Sequence, residues 1–170
     1  MSAAPDAVRL FGPMADGVRT GYKELCPMER ALDIIGTRSA LVLIREAFYG
    51  TRRFEDFAQR AGITEQIAAT RLKQLVDAGV LAKQPYKTPG QRTRYEYVLT
   101  GRGHQLFPVL ASLIEFGLLL QGDARRLDVV HGDGCGAALS VNVQCAEGHT
   151  VPFVQTEARL RPRKKRQALP

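Results

Sequence analysis

The chain has 170 residues, 45% of them hydrophobic, with a formal charge of +7, which suits one ordinary domain with a small appendage. No apolar run reads as long enough to span a membrane; the longest, around Ile114 to Leu120, is too short. The first residues lack the basic-then-apolar layout of a signal peptide, and three cysteines make no even disulfide framework, so the expected compartment is a reducing cytoplasm.

Residues 1–25 are rich in Gly, Ala and Pro and read as a mobile arm. Pro27 suits the first position of a helix, with Cys26 at its cap. Met28, Leu32 and Ile35 give that helix one apolar face, and Gly36 breaks it. In a second helix Ala40, Leu41, Leu43, Ile44, Ala47 and Phe48 cover a wide buried face, and Gly50 ends it. Arg52 to Phe54 reads as a short strand. FEDFAQR is then a short amphipathic piece, AGIT a turn, and EQIAATRLKQLVDAG a second amphipathic helix. VLAKQPYK and RYEYVL are two strands joined across TPGQRT. That order is a winged helix-turn-helix, which lays one helix in a DNA groove and a basic hairpin beside it.

Thr100 is a plausible N-cap for a helix from about Gly101 to Gln121. Pro108 should kink it or mark a late start. Leu106, Leu110, Leu113 and Gly117 lie on one side, Phe107, Ile114 and Leu118 on a neighbouring one, and Val109 and Phe116 add more apolar surface. A helix apolar nearly all round is buried on several sides, here most simply by a second subunit. A core helix in a monomer is the plainer alternative. Residues 122–130 read as a linker, residues 131–157 as a small β-hairpin module, and residues 158–170 as a basic disordered tail. The expected fold is therefore mainly α with a small β-hairpin wing. Residues 26–121 form the DNA-binding and dimerisation domain, and the C-terminal module is a plain β-hairpin or a zinc knuckle.

Net charge is mostly a property of the tail. RLRPRKKR, Arg159 to Arg166, carries six basic residues and no acidic one, so the rest of the chain sums to +1. The tail either adds sequence-independent DNA affinity or only solubilises. Local clustering is more informative. Between Arg71 and Arg94 there are six basic residues and one acidic, Asp77.

Position on a helix decides role, because each residue advances about 100°. From Glu65 onward, Ala68, Leu72 and Leu75 face one side, and Gln66, Thr70, Lys73 and Asp77 the other. The second set carries an amide, a hydroxyl and an ammonium, groups that read base edges or bond phosphates. Gln66 could pair bidentately with adenine, and Lys73 is expected to meet phosphate. Thr64 is a good N-cap, and Arg71 lies towards the flank. Such a face is often merely solvated. The hairpin shifts the balance: Lys87, Arg92 and Arg94 crowd a Pro89–Gly90 turn where folding requires no three cations. A basic wing can lay an Arg in a minor groove or along phosphates.

These segments resemble the HxlR-type winged helix-turn-helix transcriptional regulators, relatives of the MarR group. The matching stretches are CPMERALDIIG, LVLIREAFYGTRRFEDF, ITEQIAATRLKQLVDAGVL, and YEYVLTGRG with LFPVL, covering about Cys26 to Gly117 in order. The resemblance implies a dimeric DNA-binding regulator whose terminal helices dimerise and whose recognition helices meet successive major grooves. The family usually carries Trp at the positions of Ser39 and Phe116. Many members have Lys at the position of Gln66 and Thr at that of Ala69. Ala69 is thus another groove-facing position, and no operator sequence can be carried over.

Cys26, at a helix start, gains reactivity from the helix N-terminus. Some members of this family resemble redox sensors built on a Cys there; the alternative is a small buried cap residue. His131, Cys135, Cys145 and His149 form H-x3-C-x9-C-x3-H. Four soft or borderline ligands in two pairs could hold a structural zinc, although the spacings are not those of common zinc modules. The order also resembles a Cys-Gly knuckle extension of some family members.

The expected function is a sequence-specific transcriptional regulator: a dimeric repressor answering a small-molecule or redox signal, with double-stranded DNA as partner. The alternative is a winged helix used for protein contact. No phosphate loop, G-x-S-x-G, H-E-x-x-H or paired carboxylates suggest an enzyme.

Overall fold

The computed structural model describes residues 7–12, 15, 26–87, 90, 92–121 and 127–159. The rest of the expected arm, three wing-tip residues (Thr88, Pro89 and Gln91), most of the linker and almost all of the basic tail lie outside the described residues. In chain order the elements are strand β1 (Arg9–Phe11), helices α1 (Pro27–Ile35), α2 (Arg38–Phe48), α3 (Phe54–Ala61) and α4 (Glu65–Asp77), strands β2 (Leu81–Tyr86) and β3 (Arg94–Leu99), helices α5 (Gly101–His104) and α6 (Phe107–Gln121), and strand β4 (Glu157–Arg159). The chain divides into two units. One is Pro27–Val141; the other joins Met1–Cys26 to Asn142–Pro170.

The first unit is a mainly α fold with a two-stranded antiparallel wing, the expected winged helix-turn-helix. Helices α2, α4 and α5 each start where the sequence supplies a threonine cap. Thr37 accepts a hydrogen bond from the Ala40 N–H, Thr64 from Ile67, and Thr100 from Gly103. Gly62 closes α3 in the left-handed conformation at φ 61°, which an L side chain adopts only at a cost. The amphipathic faces then meet. Leu43 and Ile44 of α2, Phe57 of α3, Leu72 and Leu75 of α4, and Leu81 of β2 are fully enclosed. Phe57 meets Tyr97 of β3 edge to face, with centroids 5.9 Å apart. This core holds α3 and α4 in fixed mutual orientation and anchors the base of the wing.

Two expectations about this unit need correction, and one apolar face stands open. Arg52 to Phe54 is not a strand: Phe54 already opens α3, and a single backbone bond, from the Tyr97 N–H to the Arg52 carbonyl, runs from the segment to the wing. Among the described residues, Met28 and Leu32 on the apolar face of α1 are exposed, and of that face Ile35 packs against the core. The run from Gly101 to Leu120 is long and apolar enough, by length and composition, to cross a membrane. Ser112 and Glu115 interrupt it in sequence and hide its length. It is not one unbroken helix. Gln105 and Leu106 turn between α5 and α6, and Pro108 sits at the second position of α6, the late start that its missing N–H allows.

Residues 127–141 pack along α6. Val129, Ala138, Leu139 and Val141 meet Ala111, Ile114 and Leu118 around a small cavity, and the Val141 N–H donates to Glu115 Oε2 at 3.3 Å. The described end of the expected linker is one arm of this feature, since Val130 bridges Ala138 antiparallel.

In the second unit, β1 and β4 pair in parallel, Arg9 with Glu157 through Phe11 with Arg159. Part of the expected irregular arm is thus a strand. The expected hairpin between ALSVNVQ and TVPFVQT forms only near its turn, with a Gln144–Thr150 bridge and a bond from Val151 N–H to the Val143 carbonyl.

Candidate nucleic-acid interface

Thr64 opens α4, and the three buried residues Ala68, Leu72 and Leu75 fix its rotation against the core. The opposite face is therefore determined. Gln66, Ala69, Thr70 and Lys73 are all exposed on it, and Arg71 is half-buried on the flank.

The polar groups of this face are already organised. Thr70 Oγ1 donates to the Gln66 carbonyl at 2.9 Å, which orients the hydroxyl along the helix. Lys73 Nζ lies 2.6 Å from Asp77 Oδ2, an i,i+4 ion pair. Arg71 Nη1 donates to Gln74 Oε1 at 2.7 Å, so its neighbour is an amide and not a carboxylate. Gln66 keeps its amide at the N-terminal end of the face, where a helix entering a groove makes its base contacts.

The wing is a six-pair antiparallel ladder from Leu81–Leu99 to Tyr86–Arg94. Lys87, Arg92 and Arg94 are exposed at its far end, and Gly90 has φ 77°, a turn conformation that favours glycine. One cation escaped the sequence reading. Arg53, at the N-cap of α3, stacks its guanidinium 5.5 Å from the Tyr86 ring centroid. Its signal was the Arg52–Arg53 pair just before a helix. The two part company: Arg52 is taken by Glu96 at 3.2 Å, while Arg53 joins the basic edge of the wing.

Cys26 is half-buried and immediately precedes Pro27, the first residue of α1. The four Cys and His residues of the C-terminal region are exposed. His131 and Cys135 belong to the first unit, Cys145 and His149 to the second. Within neither unit do three His, Cys, Asp or Glu side chains come together as a metal set among the described residues.

Comparison with known proteins addresses the same residues. A family described as HxlR-like helix-turn-helix matches residues 34–122. An HTH-type transcriptional regulator of Mycobacterium bovis is 39% identical over 88 residues, which is 52% of this chain and 54% of the relative. The chain thus spans about half the length of that relative. A second HTH-type regulator, from Synechocystis, is 28% identical over 117 residues, 68% of this chain and 84% of its own. Among solved structures, PA1607, a proposed transcription factor, superposes with a TM-score of 0.71 at 30% identity, covering 82% of this chain and 98% of that one. The redox regulator HypR in its reduced form superposes with a TM-score of 0.51 at 26% identity, covering 57% of this chain and 95% of its own.

Proposed function

The chain belongs to the HxlR-like helix-turn-helix family, and from that premise we propose that it is a DNA-binding transcriptional regulator, a dimeric repressor whose grip on DNA is released by a small-molecule or redox signal. The observation that carries the reading is one face of α4 bearing Gln66, Ala69, Thr70 and Lys73, flanked by Arg71 and by the exposed wing cations Lys87, Arg92 and Arg94. Gln66 and Thr70 read base edges, and Ala69 offers a methyl to a thymine methyl. Thr64 holds the N-terminus of α4 at the backbone. Arg71, Lys73 and the wing cations, with Arg53 beside them, neutralise phosphates.

Dimerisation is supported by large apolar side chains that stand exposed among the described residues. On α6, Leu113, Phe116, Leu119 and Leu120 are exposed, and on α1, Met28 and Leu32. Large apolar side chains left exposed on two helices suit an association site. Two copies paired through it present two α4 helices to grooves about 34 Å apart, one turn along the duplex. Repression is the simpler mode for a compact dimer that occupies promoter DNA.

Cys26 is the candidate receiver of the signal. It adjoins α1, so a modification there changes the footing of a helix that carries part of the proposed interface. The likeness to HypR, itself a redox regulator, supports this reading.

The test is a fluorescence-anisotropy titration of the full chain against the DNA upstream of its own coding region, with unrelated DNA as competitor at fixed salt. Binding that survives a large excess of competitor is expected. Equal loss to any DNA would overturn the reading and leave a basic surface without sequence preference.

A further inference from the structure

Helix α4 ends at Asp77 and closes through Gly79, which takes the left-handed conformation at φ 70°. The Gly79 N–H donates to the Val76 carbonyl and the Val80 N–H to Leu75. That closure leaves the next three carbonyls, of Ala78, Gly79 and Val80, without partners inside the helix. All three are taken by the segment that begins α5. Arg102 Nη1 donates to the Ala78 carbonyl at 2.8 Å, Thr100 Oγ1 to Gly79 at 2.6 Å, and the Thr100 N–H to Val80 at 3.1 Å. A Cβ placed on Gly79 would sit 3.5 Å from Arg102 Nη1, so the guanidinium lies directly against the exit turn. Among the described residues no carboxylate pairs with Arg102. Its charge instead faces the C-terminal end of α4, where the helix dipole favours a cation.

The far side of α5 is tied as closely. His104 Nδ1 lies 2.9 Å from the Thr100 carbonyl oxygen, and its ring meets Phe48 of α2 edge to face, with centroids 6.1 Å apart. Phe107, the first residue of α6, packs on the same Phe48 ring at 5.6 Å. The Leu106 N–H donates to Gly103 and the Leu110 N–H to Leu106, and Leu110 is buried in the core. A four-residue helix thus joins the exit of α4 to the start of α6, by polar bonds on one side and ring contacts on the other. Arg102 itself is exposed, so core packing does not account for where its guanidinium lies.

We propose that Arg102 is a positioning residue for DNA recognition: through α5 it locks the exit of α4 to the start of α6, so that the two helices move as one block. This role rests on the reading of α4 as the helix that enters the groove. The setting of α4 decides where Gln66 and Thr70 meet base edges. A loosened exit lets the helix rock about its buried residues Ala68, Leu72 and Leu75. With the exit locked, a displacement of α6 is passed to α4, because a packed block shifts as a unit and does not deform continuously.

The experiment compares the full native chain with Arg102→Ala and Arg102→Lys, each checked by thermal unfolding to be folded at the assay temperature. Amide exchange is read across residues 74–80 without DNA. Arg102→Ala should raise exchange there, and Arg102→Lys, which keeps a donor and the charge, should restore most of the protection. Binding to the upstream DNA should weaken about 2- to 30-fold in Arg102→Ala and recover in Arg102→Lys. The slope of log affinity against log salt should stay at its native value, because Arg102 meets a carbonyl and not a phosphate. A slope lowered by about one would make Arg102 a phosphate contact and sink the positioning role. Native exchange in Arg102→Ala would overturn the lock, and raised exchange with native affinity would overturn its part in recognition. A native chain without sequence preference would count against the DNA-binding reading itself, and the exchange result would still decide the lock.

Discussion

Thr100 Oγ1 donates to the Gly79 carbonyl oxygen at 2.6 Å, joining the second residue after α4 to the residue before α5. The Thr100 hydroxyl oxygen in turn accepts from the Gly103 N–H at 3.0 Å. One hydroxyl thus ties the turn after α4 to the start of the segment leading into α6. Thr100→Val preserves the shape and removes both bonds. It should cost about 1–3 kcal/mol of stability, read from urea unfolding. A midpoint equal to the native one would mean that the α4–α5 joint is held by packing alone.

Gly103 illustrates a different constraint. A Cβ there would run into the Val80 carbonyl oxygen and lie 2.9 Å from Leu99 Cδ2. Backbone cannot yield as a side chain does. Gly103→Ala should therefore destabilise by about 1–3 kcal/mol even though Ala is the better helix former. Gly101, two residues earlier, has nothing near its would-be Cβ, so Gly101→Ala should be neutral or slightly stabilising. The pair compared by thermal unfolding isolates close approach from helix propensity, and equal shifts would contradict it.

The winged helix was legible in sequence because its signals were local. Thr64 and Thr100 are caps, Ala68, Leu72 and Leu75 keep helical spacing, and the wing strands end within a residue or two of the runs that announced them. The face of α4 followed from its period alone. What escaped was set by contacts distant in sequence. Nothing in RLF announces that Arg9–Phe11 will pair with Glu157–Arg159, since parallel partners far apart in sequence leave no hairpin signal. Nor does the composition of 127–130 show that Val130 will bridge Ala138. Met28 and Leu32 share an apolar stripe by spacing, but spacing does not say what covers it.

Lys73 is held 2.6 Å from Asp77, and both side chains are largely exposed. The pair contributes little to stability, about 0.3–0.5 kcal/mol. It matters more for DNA, because Asp77 repels phosphate and competes for the ammonium. Asp77→Asn should tighten DNA binding and leave the unfolding midpoint nearly unchanged. Lys73→Ala should weaken binding and lower the slope of log affinity against log salt by about one. A slope identical to the native value would remove Lys73 from the phosphate contacts.

The wing and the α4 face should respond differently to substitution. Arg92→Ala and Arg94→Ala should weaken binding to every DNA and each flatten the salt dependence by about one unit. Gln66→Ala should instead change which base is preferred at one position, at a cost of about 1–3 kcal/mol for the native site. Binding measured against a panel of single-base operator variants makes the distinction. A uniform loss for Gln66→Ala across the panel would make it a positioning residue.

Dimerisation through α6 makes the sharpest demand. Leu119 is 79% exposed and Phe116 is 58% exposed, so neither supports the fold of the single chain. Phe116→Asp and Leu119→Asp together should leave helicity intact but place charge in an apolar interface, where it lacks a partner. Sedimentation should then show a single chain where the native protein shows two. Specific DNA affinity should fall by about 100-fold or more, because two linked half-site contacts become one. Weak half-site binding should remain, since the α4 face and the wing are untouched. A dimer that survives both substitutions would move the interface away from α6. Monomers that still bind with native affinity would show that one winged helix suffices.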